Sequence, residues 1–218
     1  SYPLTINGIR GYLMPNGIRV NSFPSVALDN SGNILITWAQ KKLAPAGSDA
    51  DICFSYSNNG GSSFSTPLRI NNDALNNGKN QFLPWITVDN SNDNIAIAFY
   101  DNRDSYTPDS CDIYTAVSTN NGASFVNLKT SDRPHRPVPL NGYADGYYSD
   151  YIGIAAANNV LYPVWADNRN SVVQIYTAKM QLKPYLTHNP LKDTENLTGP
   201  YTPVAAVNTF NAAVSSVK

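Results

Sequence analysis

Ser57-Asn58-Asn59-Gly60-Gly61-Ser62-Ser63-Phe64 recurs 61 residues later as Ser118-Thr119-Asn120-Asn121-Gly122-Ala123-Ser124-Phe125. The recurrence extends upstream, where Pro24-Ser25-Val26-Ala27-Leu28-Asp29-Asn30-Ser31 is echoed by Pro84-Trp85-Ile86-Thr87-Val88-Asp89-Asn90-Ser91 at an offset of 60. Both copies continue with alternating apolar residues, Ile34, Ile36 and Trp38 in the first and Ile95, Ile97 and Phe99 in the second. A period of two marks strands rather than helices. A third copy is weaker. Leu161, Pro163 and Trp165 precede Asp167-Asn168-Arg169 as Ile95, Ile97 and Phe99 precede Asp101-Asn102-Arg103, and Ile175-Tyr176-Thr177-Ala178 mirrors Ile113-Tyr114-Thr115-Ala116.

Each unit reads as four short strands joined by Asn, Gly and Asp turns, at a spacing near the ~50 residues of kelch-type propeller blades. The fold class is therefore all-β: a β-propeller segment of about three four-stranded antiparallel blades. No sustained 3.6-residue pattern supports a helical repeat. Pro163 removes a ladder donor from an interior strand, so the third unit is expected to be irregular.

The chain has 218 residues, a formal charge of −1 and 42% hydrophobic residues, enough for a large all-β domain. Lys and Arg are scattered, without the basic stripe that phosphate backbones require, so nucleic acid is not an expected partner. No apolar run approaches the ~20 residues of a membrane span, and Ser1 opens no signal-peptide pattern. Low charge with abundant Asn, Ser, Thr and Tyr suits a secreted or cell-surface β-protein. Two cysteines, Cys53 and Cys111, leave open either a bridge between neighbouring blades or buried thiols. His135 and His188 lie far apart, and neither cysteine has metal-ligand spacing. No metal and no cofactor is expected. Asp29 to Asn33 and Asp89 to Asp93 read as hairpin turns rather than calcium loops.

The spacing Ser-x-Asn-x-Gly-x-Ser-Phe resembles the Asp box, or BNR repeat, of the sialidase superfamily of β-propellers, with Asn59 and Asn120 where the family has Asp. In such a turn a short polar side chain accepts backbone N–H bonds, Gly supplies positive φ and the aromatic tucks beneath the hairpin. Ser57, Asn59, Gly61 and Phe64, and Ser118, Asn120, Gly122 and Phe125, take these structural places. The resemblance implies that the boxes lie on the face away from the active site. The opposite face would then carry Asp101, Arg103 and Asp104, Asp167 and Arg169, and the segment Gly142 to Tyr151.

That segment packs four tyrosines and two aspartates into ten residues. Tyrosine rings stack on sugar C–H faces while carboxylates bond hydroxyls, which makes Asp145, Tyr147, Tyr148, Asp150 and Tyr151 glycan-binding candidates. Tyrosines of this kind also line grooves between blades. Arg103 and Arg169 present forks that grip a carboxylate, either of an acidic sugar or of a neighbouring blade. Sialidases use an arginine triad, an acid/base aspartate and a tyrosine–glutamate pair. This chain has Glu195 as its single glutamate and lacks the Arg-Ile-Pro motif, so no complete sialidase site is encoded. Asp101, Asp104, Asp145 and Asp150 remain candidates for the two-carboxylate pair of other glycosidases.

The expected layout is a lead-in or final strand of a preceding blade at 1–21 and blades at 22–72, 80–132 and 143–185. A linker and the first strand of an immunoglobulin-like module follow at 186–218. Three blades do not close a ring, so the chain reads as part of a larger secreted protein. The expected function is glycan or glycoprotein binding without a complete catalytic site. One alternative is a sialidase-type or other exo-glycoside hydrolase acting on acidic glycans. Another is an adhesin or filament subunit, self-associating through open blade edges by strand addition.

Overall fold

The computed structural model describes residues 9, 17–43, 45 and 47–182, and the strands in them form three antiparallel sheets side by side. The first holds β1 (Ser25–Leu28), β2 (Ile34–Lys41), β3 (Ala50–Ser57) and β4 (Leu68–Arg69), in that order. The second repeats it with β5 (Gln81–Asp89), β6 (Asn94–Asp101), β7 (Asp112–Ser118) and β8 (Val126–Lys129). The third has β9 (Gly153–Ala157) and β10 (Val160–Asp167), with β11 (Gln174–Thr177) and β12 (Met180–Gln181) both on the far side of β10. The chain is a β-propeller segment. No helix among the described residues is long and apolar enough to cross a membrane.

The repeat sets the register. Gln40 pairs with Asp51 and Asp101 with Asp112, so each second strand meets its third at equivalent residues. Pro163 has the foreseen effect. β11 and β12 pair with β10 in one register, but opposite Pro163 the ladder breaks at Ala178. Without an N–H, residue 163 contributes only its carbonyl, which accepts from Thr177 Oγ1 at 2.8 Å. The third sheet thus has the expected four strands, with β11 and β12 end to end on one flank of β10. Residues 186–218, read from sequence as a linker and the start of another module, lie outside the described residues, as does most of 1–21.

The inner strands β1, β5 and β9 lie next to one another around the axis. One continuous core fills the spaces between sheets, including Ile52, Phe54, Ile97, Phe99, Ile113, Leu161 and Trp165. Phe54 of the first blade meets Phe125 of the second edge-on, with ring centroids 5.2 Å apart. The Tyr100 hydroxyl of the second blade donates to the Ala166 carbonyl of the third at 3.0 Å. Such burial contributes about 1.5–3 kcal/mol per large apolar side chain. Cys53 and Cys111 are free and buried, which settles the open choice in favour of thiols packed in the core.

At the end of the propeller that carries the β1–β2 and β3–β4 turns, the two octets adopt one hydrogen-bonded form. Asn59 Oδ1 accepts from Ser57 Oγ and Ser63 N, each at 2.9 Å, and Asn59 Nδ2 donates to Ser63 Oγ at 2.8 Å. Asn120 makes the same three bonds with Ser118 and Ser124. Ser57 Oγ and Ser118 Oγ then accept from Gly61 N and Gly122 N at 2.9 Å. Gly61 and Gly122 have φ of 83° and 81°, the left-handed region that an L side chain resists. Asp29 and Asp89 bind their own turns: Ser31 N and Asn33 N donate to Asp29, and Ser91 N to Asp89. These are hairpin Asx turns, as expected.

Candidate functional site

The opposite end carries the β2–β3, β6–β7 and β10–β11 loops and the connections between blades. There the two Asp-x-Arg motifs form matching clamps. Arg103 Nε donates to Asp101 Oδ2 at 2.7 Å and its Nη1 reaches Asn72, in the connection from the preceding blade, at 2.5 Å. The Arg103 guanidinium lies 4.3 Å from the centre of the Tyr114 ring. Arg169 repeats this with Asp167 at 2.8 Å, with Asp132 of the preceding connection, and with the Tyr176 ring at 4.5 Å. Burial pushes the Asp101 carboxyl above the ordinary carboxylate range, against the opposing pull of Arg103. Asp104 stands apart on the loop, accepting from the Tyr114 hydroxyl beside Lys129.

The Gly142–Tyr151 segment divides into inward and outward residues. Tyr148 is buried, its hydroxyl donating to the Ala166 carbonyl at 3.1 Å. Tyr147 stacks on exposed Tyr143 with ring centroids 5.3 Å apart. Asp145 is exposed. Asp150 and Tyr151 reach the axis.

At the axis the beginning of each inner strand, or the chain leading into it, contributes to one small hollow of about 30 Å³, lined by Phe23, Pro24, Leu83, Pro84, Trp85, Asp150, Tyr151 and Ile152. Pro24 and Pro84 are repeat equivalents, so the same step of each blade brings the lining residues together. Tyr151 is the hub: it stacks on Phe23 at 6.4 Å and meets Trp85 edge-on at 6.1 Å. All three rings are exposed, Phe23 at 41%, Trp85 at 38% and Tyr151 at 67%. A bulge between Phe82 and Trp85 re-aims the strand. Leu83 takes the strain of that bulge with φ at 51°, a conformation that costs a non-glycine residue about 1–3 kcal/mol and concentrates at ligand sites.

Of the expected site residues, the fold thus gathers Asp150 and Tyr151 at the axis. It ties Asp101, Arg103, Asp167 and Arg169 into blade-to-blade clamps, and keeps Asp104 and Asp145 on separate loops. The sequence reading passes over Phe23 and Trp85. Trp85 occupies the repeat position of Ser25, and that replacement of a small residue by a large one was the available signal.

No family model matches the sequence, and no curated protein matches it. Solved structures do. An alpha-L-arabinanase of Penicillium chrysogenum complexed with arabinobiose matches with 15% identity and a TM-score of 0.55, over 82% of this chain and 52% of its own. An alpha-L-arabinofuranosidase of Fusarium graminearum in complex with an iminosugar inhibitor matches with 11% identity and a TM-score of 0.55, over 81% of this chain and 50% of its own. They share its fold. The chain spans about half the length of these structures.

Chemically, the hollow offers aromatic faces, one carboxylate and no cation in its lining. Aromatic rings beside an acceptor for hydroxyl protons suit a ligand with apolar C–H faces and hydroxyl edges.

Proposed function

We propose that this chain is a glycan-binding propeller module, with the axial hollow as its binding site. The observation that carries the reading is the convergence of exposed Phe23, Trp85 and Tyr151 around Asp150. Soluble folds rarely leave three large rings together in water unless a partner covers them. The common fold with enzymes whose structures hold arabinobiose or an iminosugar favours a carbohydrate over other partners. Hydrolysis by the usual route needs two carboxylates about 5–10 Å apart, and the lining supplies Asp150 alone. Binding without turnover by these residues is the consistent reading.

The octets belong to the same proposal as Asp boxes with Asn in place of Asp, serving structure. Asn both accepts and donates here, so the turn keeps its bonds without the charge. Secretion fits the composition.

The test is calorimetric titration with arabinobiose, followed by Trp fluorescence. Trp85→Ala and Tyr151→Ala are expected to weaken binding at least tenfold, roughly the worth of one stacked ring, with circular dichroism and melting temperature unchanged. Equal affinity in both variants would overturn the site. Release of sugar from an aryl arabinofuranoside, abolished by Asp150→Asn, would instead make the chain an enzyme.

A further inference from the structure

The Tyr143–Tyr147 pair lies outside the lining of the axial hollow. Tyr143 is 65% exposed and stacked on Tyr147. The backbone beneath the pair is pinned from three sides. Tyr147 N donates to Ala144 O at 2.9 Å, Leu140 N donates to Tyr147 O at 2.7 Å, and Arg19 N donates to Gly146 O at 2.6 Å. Between this pair and the axis, buried Tyr148 and Ile152 anchor the same segment to the core. Two aromatic platforms therefore stand on one immobilised stretch. Tyr147 and Tyr151 are four positions apart in the chain, which limits their Cα separation to roughly 14 Å. Rings fixed before the ligand arrives lose little entropy on binding.

The charges around this stretch also select a ligand. Asp150 belongs to it, and the lining of the hollow contains no Lys or Arg. Arg103 and Arg169, the arginines that an acidic sugar would use, are 10% and 5% exposed and already hold Asp101 and Asp167. A carboxylated glycan in the hollow would meet the Asp150 carboxylate, and the lining there offers no fork to grip it.

We propose that Tyr143 and Tyr147 form a second sugar platform, continuous with the axial hollow, and that the ligand is a neutral oligosaccharide rather than an acidic one. This rests on the glycan-binding reading and adds two properties to it: affinity rises with chain length, and it does not rise with ligand charge.

The experiment compares arabinose, arabinobiose and arabinotetraose, and lactose with sialyllactose, by titration calorimetry on the whole chain. The tetrasaccharide is expected to bind about tenfold tighter than the disaccharide, the gain from one further stacked ring. Tyr143→Ala removes that gain and leaves the disaccharide within about twofold, whereas Tyr143→Phe keeps it. Trp85→Ala weakens both. Sialyllactose binds no more tightly than lactose. Affinity independent of length, or a length effect that survives Tyr143→Ala, overturns the second platform while leaving the axial site standing. Tighter binding of sialyllactose overturns neutrality. If none of these sugars binds, the glycan-binding reading and this one fall together. Tyr143 is exposed, so loss of folding is not expected to obscure the result.

Discussion

His135 is buried where the second and third blades meet. Its Nε2 stands 3.7 Å from Cys111 Sγ and its Nδ1 3.5 Å from Asp167 Oδ2, with the ring stacked on Tyr148. Burial pushes its pKa down to about 4, outweighing the attraction of Asp167. Protonation therefore favours the unfolded chain. The stability contributed is complete above the ordinary value of about 6.5 and is lost as pH falls toward 4, at about 1.4 kcal/mol per pH unit and about 3 kcal/mol in all. Urea melts between pH 7 and 4 should show this slope, and His135→Gln, though less stable at pH 7, should flatten it. An unchanged slope would show that another group titrates. Asp89 acts lower. Burial alone would raise its carboxyl, but bonds from Ser91, Asn159 and Asn158 overcome that and hold it below the ordinary carboxylate range. Its contribution is present above the ordinary carboxylate range and is lost as pH falls through its lowered value, so Asp89→Ala should cost about 1.5–3 kcal/mol at pH 7 and progressively less as the medium is acidified. The His135 cluster was not legible beforehand: Cys111, His135 and Asp167 have no telling spacing, and only the packing of two blades joins them.

Among the elements, the paired turns give the sharpest contrast. A Cβ at Gly122 would lie 2.4 and 2.7 Å from Phe54 Cε1 and Cζ, whereas at Gly61 its nearest neighbour is Ile34 Cδ1 at 3.5 Å. Both positions have positive φ, so Ala strains each backbone by roughly 1 kcal/mol or more. Gly122→Ala must in addition displace a buried ring of the neighbouring blade, which typically costs about 1–3 kcal/mol. Denaturant midpoints should therefore fall further for Gly122→Ala than for Gly61→Ala, and equal losses would mean that the octets do not meet their neighbours as described. The octets themselves were readable because a turn is a local object: its bonds run between residues two and four apart. The difference between the two glycines was not, because it depends on Phe54, which precedes Gly122 by 68 residues.

At the level of the whole molecule, the clamps at the end that carries the axial hollow tie their blades to the connections before them. Arg169 joins Asp167 of its own blade to Asp132 of the connection before it. Removing it leaves a buried carboxylate unpaired, so Arg169→Ala should cost about 3–5 kcal/mol. Arg169→Lys should recover little, since an ammonium does not reproduce the fork. By contrast Arg136→Ala removes an exposed charge paired with Asp109 and should cost no more than about 1 kcal/mol. Chemical denaturation orders the three variants; a small loss for Arg169→Ala would remove the clamp from the account of stability. Sugar affinity of the folded Arg169→Lys protein should match that of the unaltered chain.

The repeat, the strand periodicity, the turn chemistry and the break at Pro163 were all contained in the order of the amino acids, because each arises from neighbours a few residues apart. The partners of the arginines, left open between substrate and blade, were decided only when the connection from one blade was laid against the next. The axial hollow was decided in the same way. Phe23, Trp85 and Tyr151 are separated by more than 60 residues at each step, and their meeting depends on inner strands converging around an axis, a property of packed sheets that no single segment carries.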